Sequence, residues 1–163
     1  MPKAIRILGI DPGSSRIGFG LIEKNNTNLT LITTGVLEIP KAEASKKLGM
    51  LATEFKKLLT ESNPDAIGIE KIFFSKNVKT GIEVAQARGL LLHLASTQAP
   101  VYEFTPQQVK VATTNYGGAD KKSVARMVRM ILSTTPLRIL DDATDALAIA
   151  ITTAGIHRTT KTS

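Results

Sequence analysis

Four acidic side chains stand where a carboxylate could do more than face water. Asp11 closes ILGID ahead of Pro12-Gly13, Glu70 closes IGIE, and Asp142 and Asp145 open the apolar stretch DDATDALAIAITTAG. Singly, each has an ordinary use. An Asp before Pro-Gly accepts local backbone N–H bonds, and an aspartate at a helix N-terminus caps free N–H groups and suits the dipole. The pair at 142 and 145 exceeds that use. Spaced i, i+3, they share a helix face about 5–6 Å apart at Cβ. The face continues through Ala146 and Ile149, toward a core where an unpaired carboxylate would be costly. Strand alternation puts Glu70 on the face of Ala66 and Gly68, and Asp11 on the face of Gly9. Both acids thus project beside a position with no side chain, which leaves room for something to approach.

Two strand ends and one helix face supplying carboxylates make a cage for divalent cations. Mg²⁺ prefers oxygen ligands and keeps water, and two such ions about 4 Å apart clamp the attacking and leaving oxygens of an in-line phosphoryl displacement. The chemistry predicted is phosphodiester hydrolysis by water. It requires no Ser, Cys or His nucleophile, and no competing triad is visible. With no cysteine and two histidines, the chain excludes disulfides, thiolate zinc sites and a Cys nucleophile. The alternative is a scatter of capping and surface acids, and spacing alone leaves both readings open.

The elements that must position these acids alternate. Residues 4–10, 17–23 and 29–39 read as three strands joined by polar turns, a meander. Leu48, Leu51, Phe55, Leu58 and Leu59 recur at helical spacing through 43–62, with lysines between them, until Asn63-Pro64. A short buried strand at 65–70 leads into a basic loop, FFSKNVKT, and an apolar helix over 82–97. A strand at 101–104 precedes Thr105-Pro106, a cap and first-turn pair for a helix over 106–113. Helices follow at 121–133 and 142–154. The predicted fold is α/β, with a mixed central sheet whose first three strands are antiparallel and whose faces carry helices.

A chain of 163 residues, 42% hydrophobic and 21% charged, suits one domain, taken as 1–155 with a loose basic tail at 156–163. Its apolar runs are too short to cross a bilayer and the N-terminus has no signal-peptide pattern, so a cytoplasmic protein is expected. The formal charge of +7 favours a polyanionic partner. Tryptophan is absent and aromatics make up only 4%, so nucleic acid would be held mainly by its backbone rather than by stacking.

ILGIDPGSSRIGFG, IGIEKIFFSKN, QARGLLL, EFTPQQVK and DDATDALAIAI, in this order and spacing, resemble the RuvC family of bacterial Holliday-junction resolvases over about residues 5 to 154. The resemblance implies an RNase H-like fold, a homodimer, and Mg²⁺-dependent nicking of two opposed strands of a four-way DNA junction. The family's four catalytic acids fall on Asp11, Glu70, Asp142 and Asp145. Its two phosphate-contacting lysines fall on Lys110 and Lys121, and the aromatic inserted near the junction centre falls on Phe73. A branch-migration motor and its junction-binding adaptor are the implied partner proteins. Oxygen cages accept Mn²⁺ as well as Mg²⁺.

Plainer roles stand beside these. Phe73 and Phe74 could lid an apolar core, Lys110 and Lys121 could be solvated charges, and Arg88 has no assigned role. Asp141 competes with Asp142, because it too shares a face with Asp145, at i, i+4. Register against DALAIA favours Asp142. A two-fold dimer would present two opposed copies of one site to two symmetry-related strands, with the leucine-rich helix at 82–97 as its expected interface. Other classes to weigh are a small RNase H-like nuclease acting on RNA, a non-catalytic junction binder, and an ATP-binding domain. The last rests on the similarity of GIDPGSSRIGFG to the first phosphate motif of sugar kinases and actin-like ATPases. Length argues against it, since those enzymes bind ATP between two such domains.

Overall fold

The computed structural model describes residues 3–72, 78–133 and 141–157, and for Asp141 and Asp142 the backbone alone. Five strands, β1 (Ile5–Asp11), β2 (Arg16–Asn25), β3 (Asn28–Glu38), β4 (Ala66–Glu70) and β5 (Val101–Phe104), form one sheet in the order β3-β2-β1-β4-β5. The first three pair antiparallel, and β4 and β5 continue parallel to β1. Five helices accompany them: α1 (Ala44–Ser62), α2 (Val78–Ser96), α3 (Pro106–Thr114), α4 (Lys121–Ile131) and α5 (Asp141–Ile156).

The alternation seen in the sequence decides which core each strand residue joins. Leu8, Ile10, Ile67 and Ile69 pack with Leu51, Phe55 and Leu91 of α1 and α2, whereas Ile5, Ile7 and Ala66 pack with α3, α4 and α5. With both faces covered, β1 and β4 are buried along nearly their whole length, which is why they read as apolar runs.

Gly9 pairs with Gly20 on one side and with Gly68 on the other, so three glycines lie in a row across β2, β1 and β4. Helix α5 occupies the groove this row leaves. A Cβ at Gly9 would stand 2.0 Å from the Ala146 carbonyl oxygen, and one at Gly68 would stand 2.0 Å from Thr153 Oγ1. The space beside the two acids is therefore filled by the helix that carries the other two. The far end of α5 is also tied down: Lys24 Nζ donates to the Ala154 carbonyl at 2.6 Å, and the Tyr102 hydroxyl meets His157 Nδ1 at 2.9 Å.

Two expectations change. Val78, Lys79 and Thr80, read as loop, form the exposed first turn of α2. The leucine-rich part of α2 is also less free than expected. Leu91 and Leu94 are buried and Leu90 and Leu92 pack partly on the same core, so the helix's exposed large apolar side chains are Val78 and Ile82 instead. Among the described residues, no helix is long and apolar enough to cross a membrane.

Candidate active site

The parallel pairing of β1 with β4 matches Ile10 to Ile69, so one step further brings Asp11 level with Glu70 at the same end of the sheet. The Asp11 side chain lies within hydrogen-bonding reach of the Glu70 carboxyl. Asp145, on the first turns of α5, is close enough for its charge to act on Glu70. Asp142 is the second residue of α5, three positions earlier, and its side chain lies outside the described residues.

Two lysines complete the cluster. Helix α3 is started by a capping box in which Thr105 Oγ1 accepts from the Gln108 N–H at 3.1 Å and Gln108 Oε1 accepts from the Thr105 N–H at 2.8 Å. This fixes α3, which carries Lys110. Asp120 caps α4 by accepting from the Ser123 N–H at 2.8 Å, and Lys121 is the next residue. Lys121 Nζ lies 3.6 Å from Asp145 Oδ2. Glu70, Asp145, Lys110 and Lys121 line one cleft of about 230 Å³, floored by Val109, Val124, Ala148 and Ile149.

Burial in this cleft pushes the Glu70 carboxyl above its ordinary pKa, and the Asp145 carboxylate adds to the rise. The hydrogen bond with Asp11 and the charges of Lys121 and Lys110 oppose it without cancelling it. The donor set fits a hard divalent cation: every donor is a carboxylate oxygen, and the acids crowd one another where no cation relieves them. Among the described residues, no three acidic or imidazole side chains form a ready-made ion cage, and Asp142 is the acid whose side chain stands outside them. Phe73 also lies outside the described residues.

Arg88 has a role that the sequence does not announce. Its Nε donates to the Glu70 carbonyl at 2.8 Å, and its Nη2 donates to Glu103 Oε2 on β5, so α2 grips the ends of both parallel strands. An arginine on an amphipathic helix looks like any surface charge in sequence. Here its side chain is only 14% exposed. Arg88→Ala should lower the rate constant of the chemical step about tenfold to a hundredfold by loosening Glu70, with substrate affinity retained. A KM change without a rate change would return Arg88 to a purely structural role.

Comparison with known proteins supplies the family. The model described as crossover junction endodeoxyribonuclease RuvC matches residues 7–153. The chain belongs to the RuvC family. This family member is 48% identical over 149 residues to the crossover junction endodeoxyribonuclease RuvC of Thermosipho melanesiensis, an alignment covering 90% of this chain and 94% of that protein. The RuvC of Halothermothrix orenii is 44% identical over 155 residues, with 93% of each chain covered. Among solved structures, Thermus thermophilus RuvC in complex with a Holliday junction substrate is similar at a TM-score of 0.84 and 33% identity, over 92% of this chain and 93% of that one. The yeast mitochondrial Holliday junction resolvase Ydc2, at 15% identity and a TM-score of 0.69, shares the fold. The RuvC fold is RNase H-like, as the resemblance implies, and nucleases of this family are metal-dependent.

Proposed function

We propose that this protein is a metal-dependent endodeoxyribonuclease that resolves four-way DNA junctions by paired, symmetric nicks. What carries the reading is the meeting of Asp11, Glu70 and Asp145 with Lys110 and Lys121 at one end of the sheet, in a chain whose RuvC family match spans nearly its whole length.

In this reading Asp11, Glu70, Asp142 and Asp145 hold the metal, with Mg²⁺ as the physiological ion and Mn²⁺ as a substitute. When bound, a pair of such ions supplies charge neutralisation and acidified water for in-line displacement at phosphorus. The residues of the chain do the rest. Glu70 and Asp11, ionised, serve as ligands, Lys110 and Lys121 hold phosphate oxygens beside them, and Phe73 inserts near the junction centre. The apolar floor of the cleft limits water around the charged groups, which strengthens each of these contacts.

The active species in this reading is a homodimer, with the exposed Val78 and Ile82 of α2 on the face available to a second copy. Two copies related by a two-fold axis meet two symmetry-related strands. A branch-migration motor and its adaptor are the partners that the family implies, and the cytoplasm, where bacterial DNA lies, is the place of action.

The test is cleavage of a synthetic four-way DNA junction beside a linear duplex of equal length, in Mg²⁺ and in chelator. Paired symmetric nicks in the junction alone, abolished by chelator, are the expected result. Cutting of structured RNA in preference to the junction would replace this reading with that of an RNA-processing nuclease of the same fold.

A further inference from the structure

We propose that the exposed face of α4 is a track for the backbone of one DNA strand leaving the active site, with Lys122 and Arg129 as its phosphate contacts. The inference rests on the junction-nuclease reading and extends it beyond the two lysines at the acids.

Four of the eleven residues of α4 are basic, Lys121, Lys122, Arg126 and Arg129, and none is acidic. Val124 and Val128 fix the helix by facing the core, which leaves the charged residues no choice of face. Lys122 and Arg129 are seven positions apart, two full turns, so they lie on one side of the helix about 10 Å apart along its axis. That distance matches about three nucleotide steps of rise on one strand. Between them Ala125 keeps the surface low.

Lys121, Lys122, Ala125 and Arg129 line an open cleft of about 560 Å³ with Thr144 and Asp145. Lys121 and Asp145 also line the cleft that holds Glu70 and Lys110, so the two depressions share a rim. A strand whose phosphate sat at the acids could cross that rim into the second. Among the described residues, the carboxylate lining that second cleft is Asp145, which is paired with Lys121. Neither Lys122 nor Arg129 has an ion-pair partner among the described residues. Asp120, the cap of α4, feels the charge of Lys122 from the helix end, but no described carboxylate forms an ion pair with either side chain, and the strip suits a polyanion.

Binding of a four-way junction by the full chain in chelator, measured across a range of salt concentrations, tests this. Wild type is compared with Lys122→Gln/Arg129→Gln, with the charge-preserving Lys122→Arg/Arg129→Lys, and with Lys56→Gln/Lys57→Gln on α1, across the sheet. Losing two phosphate contacts should flatten the slope of log K against log salt by about 1.8 per engaged protomer, and should weaken binding at 0.1 M salt on the order of tenfold to a hundredfold. The charge-preserving pair should keep the wild-type slope, and so should the α1 pair. A neutralised α4 pair that keeps the full slope, or an α1 pair that flattens it equally, overturns the track while leaving the nuclease reading intact. Wild type that neither binds nor cuts the junction overturns both.

Discussion

Glu70→Gln is expected to reduce junction cleavage on the order of a thousandfold and, at neutral pH, to make the metal-free protein more resistant to heat. The two effects share a cause. Burial, then the neighbouring Asp145 carboxylate, raises the Glu70 pKa, and the hydrogen bond with Asp11 and the two lysines offset only part of the rise. A carboxyl whose folded pKa lies above its unfolded value stabilises the fold fully below the unfolded value and loses that contribution as pH climbs through the folded one. In chelator, wild type should therefore fall behind the glutamine variant as pH rises above the ordinary glutamate range, and match it again in acid. Adding Mg²⁺ should raise the unfolding temperature of wild type and not that of the variant. Calorimetry in chelator and in Mg²⁺ reads both. A variant that loses activity without gaining metal-free stability would mean that Glu70 is not held charged at a cost. The same cleavage assay separates Asp142 from Asp141, because under the proposed function the ligand of the two is the one whose asparagine variant binds the junction and does not cut it.

Gly9→Ala should be the most damaging small substitution in the chain. The new methyl would meet the Ala146 carbonyl oxygen at 2.0 Å and the Ala150 nitrogen at 2.6 Å, atoms of a buried helix backbone that cannot rotate aside. Either α5 lifts from the sheet or β1 bends. We expect a loss of about 3 kcal/mol or more in denaturant unfolding, at or beyond the upper end of ordinary overpacking. The remaining folded protein should also cut slowly, because Asp145 moves with α5. Gly49→Ala is the matched control. Its Cβ would meet nothing within 4 Å, so in the interior of α1 it should stabilise by about 0.5–1 kcal/mol. Equal stability for the two variants would mean that the groove under α5 yields easily.

Much of this arrangement is legible in the sequence because periodicity speaks wherever burial is one-sided. The alternation that places Glu70 with Ala66 and Gly68, and Ile67 with Ile69, is the alternation by which the two cores divide. The step from Asp145 to Ala146 and Ile149 points α5 at the sheet, where both of those residues are buried. Gly9 and Gly68 are visible as gaps, but nothing local says that α5, more than 130 positions along the chain from Gly9, fills them. Arg88 is silent for a similar reason, since its two partners come from strands that only the fold brings together. The start of α2 is hidden because Val78 and Thr80 are exposed and β-branched, giving neither a buried face nor a strong helix preference.

The glycine row has a further consequence. Where α5 meets β1 at Gly9, main chain faces main chain, and at Gly68 only the Thr153 hydroxyl and an Ile149 methyl come between. The separation between the backbones that carry Asp11, Glu70 and Asp145 therefore depends mainly on helix and strand geometry. Repacking of the outer cores, by drift in sequence or by warming, can change how firmly the protein holds together without changing that gauge. The spacing of the acids is built as a hard stop.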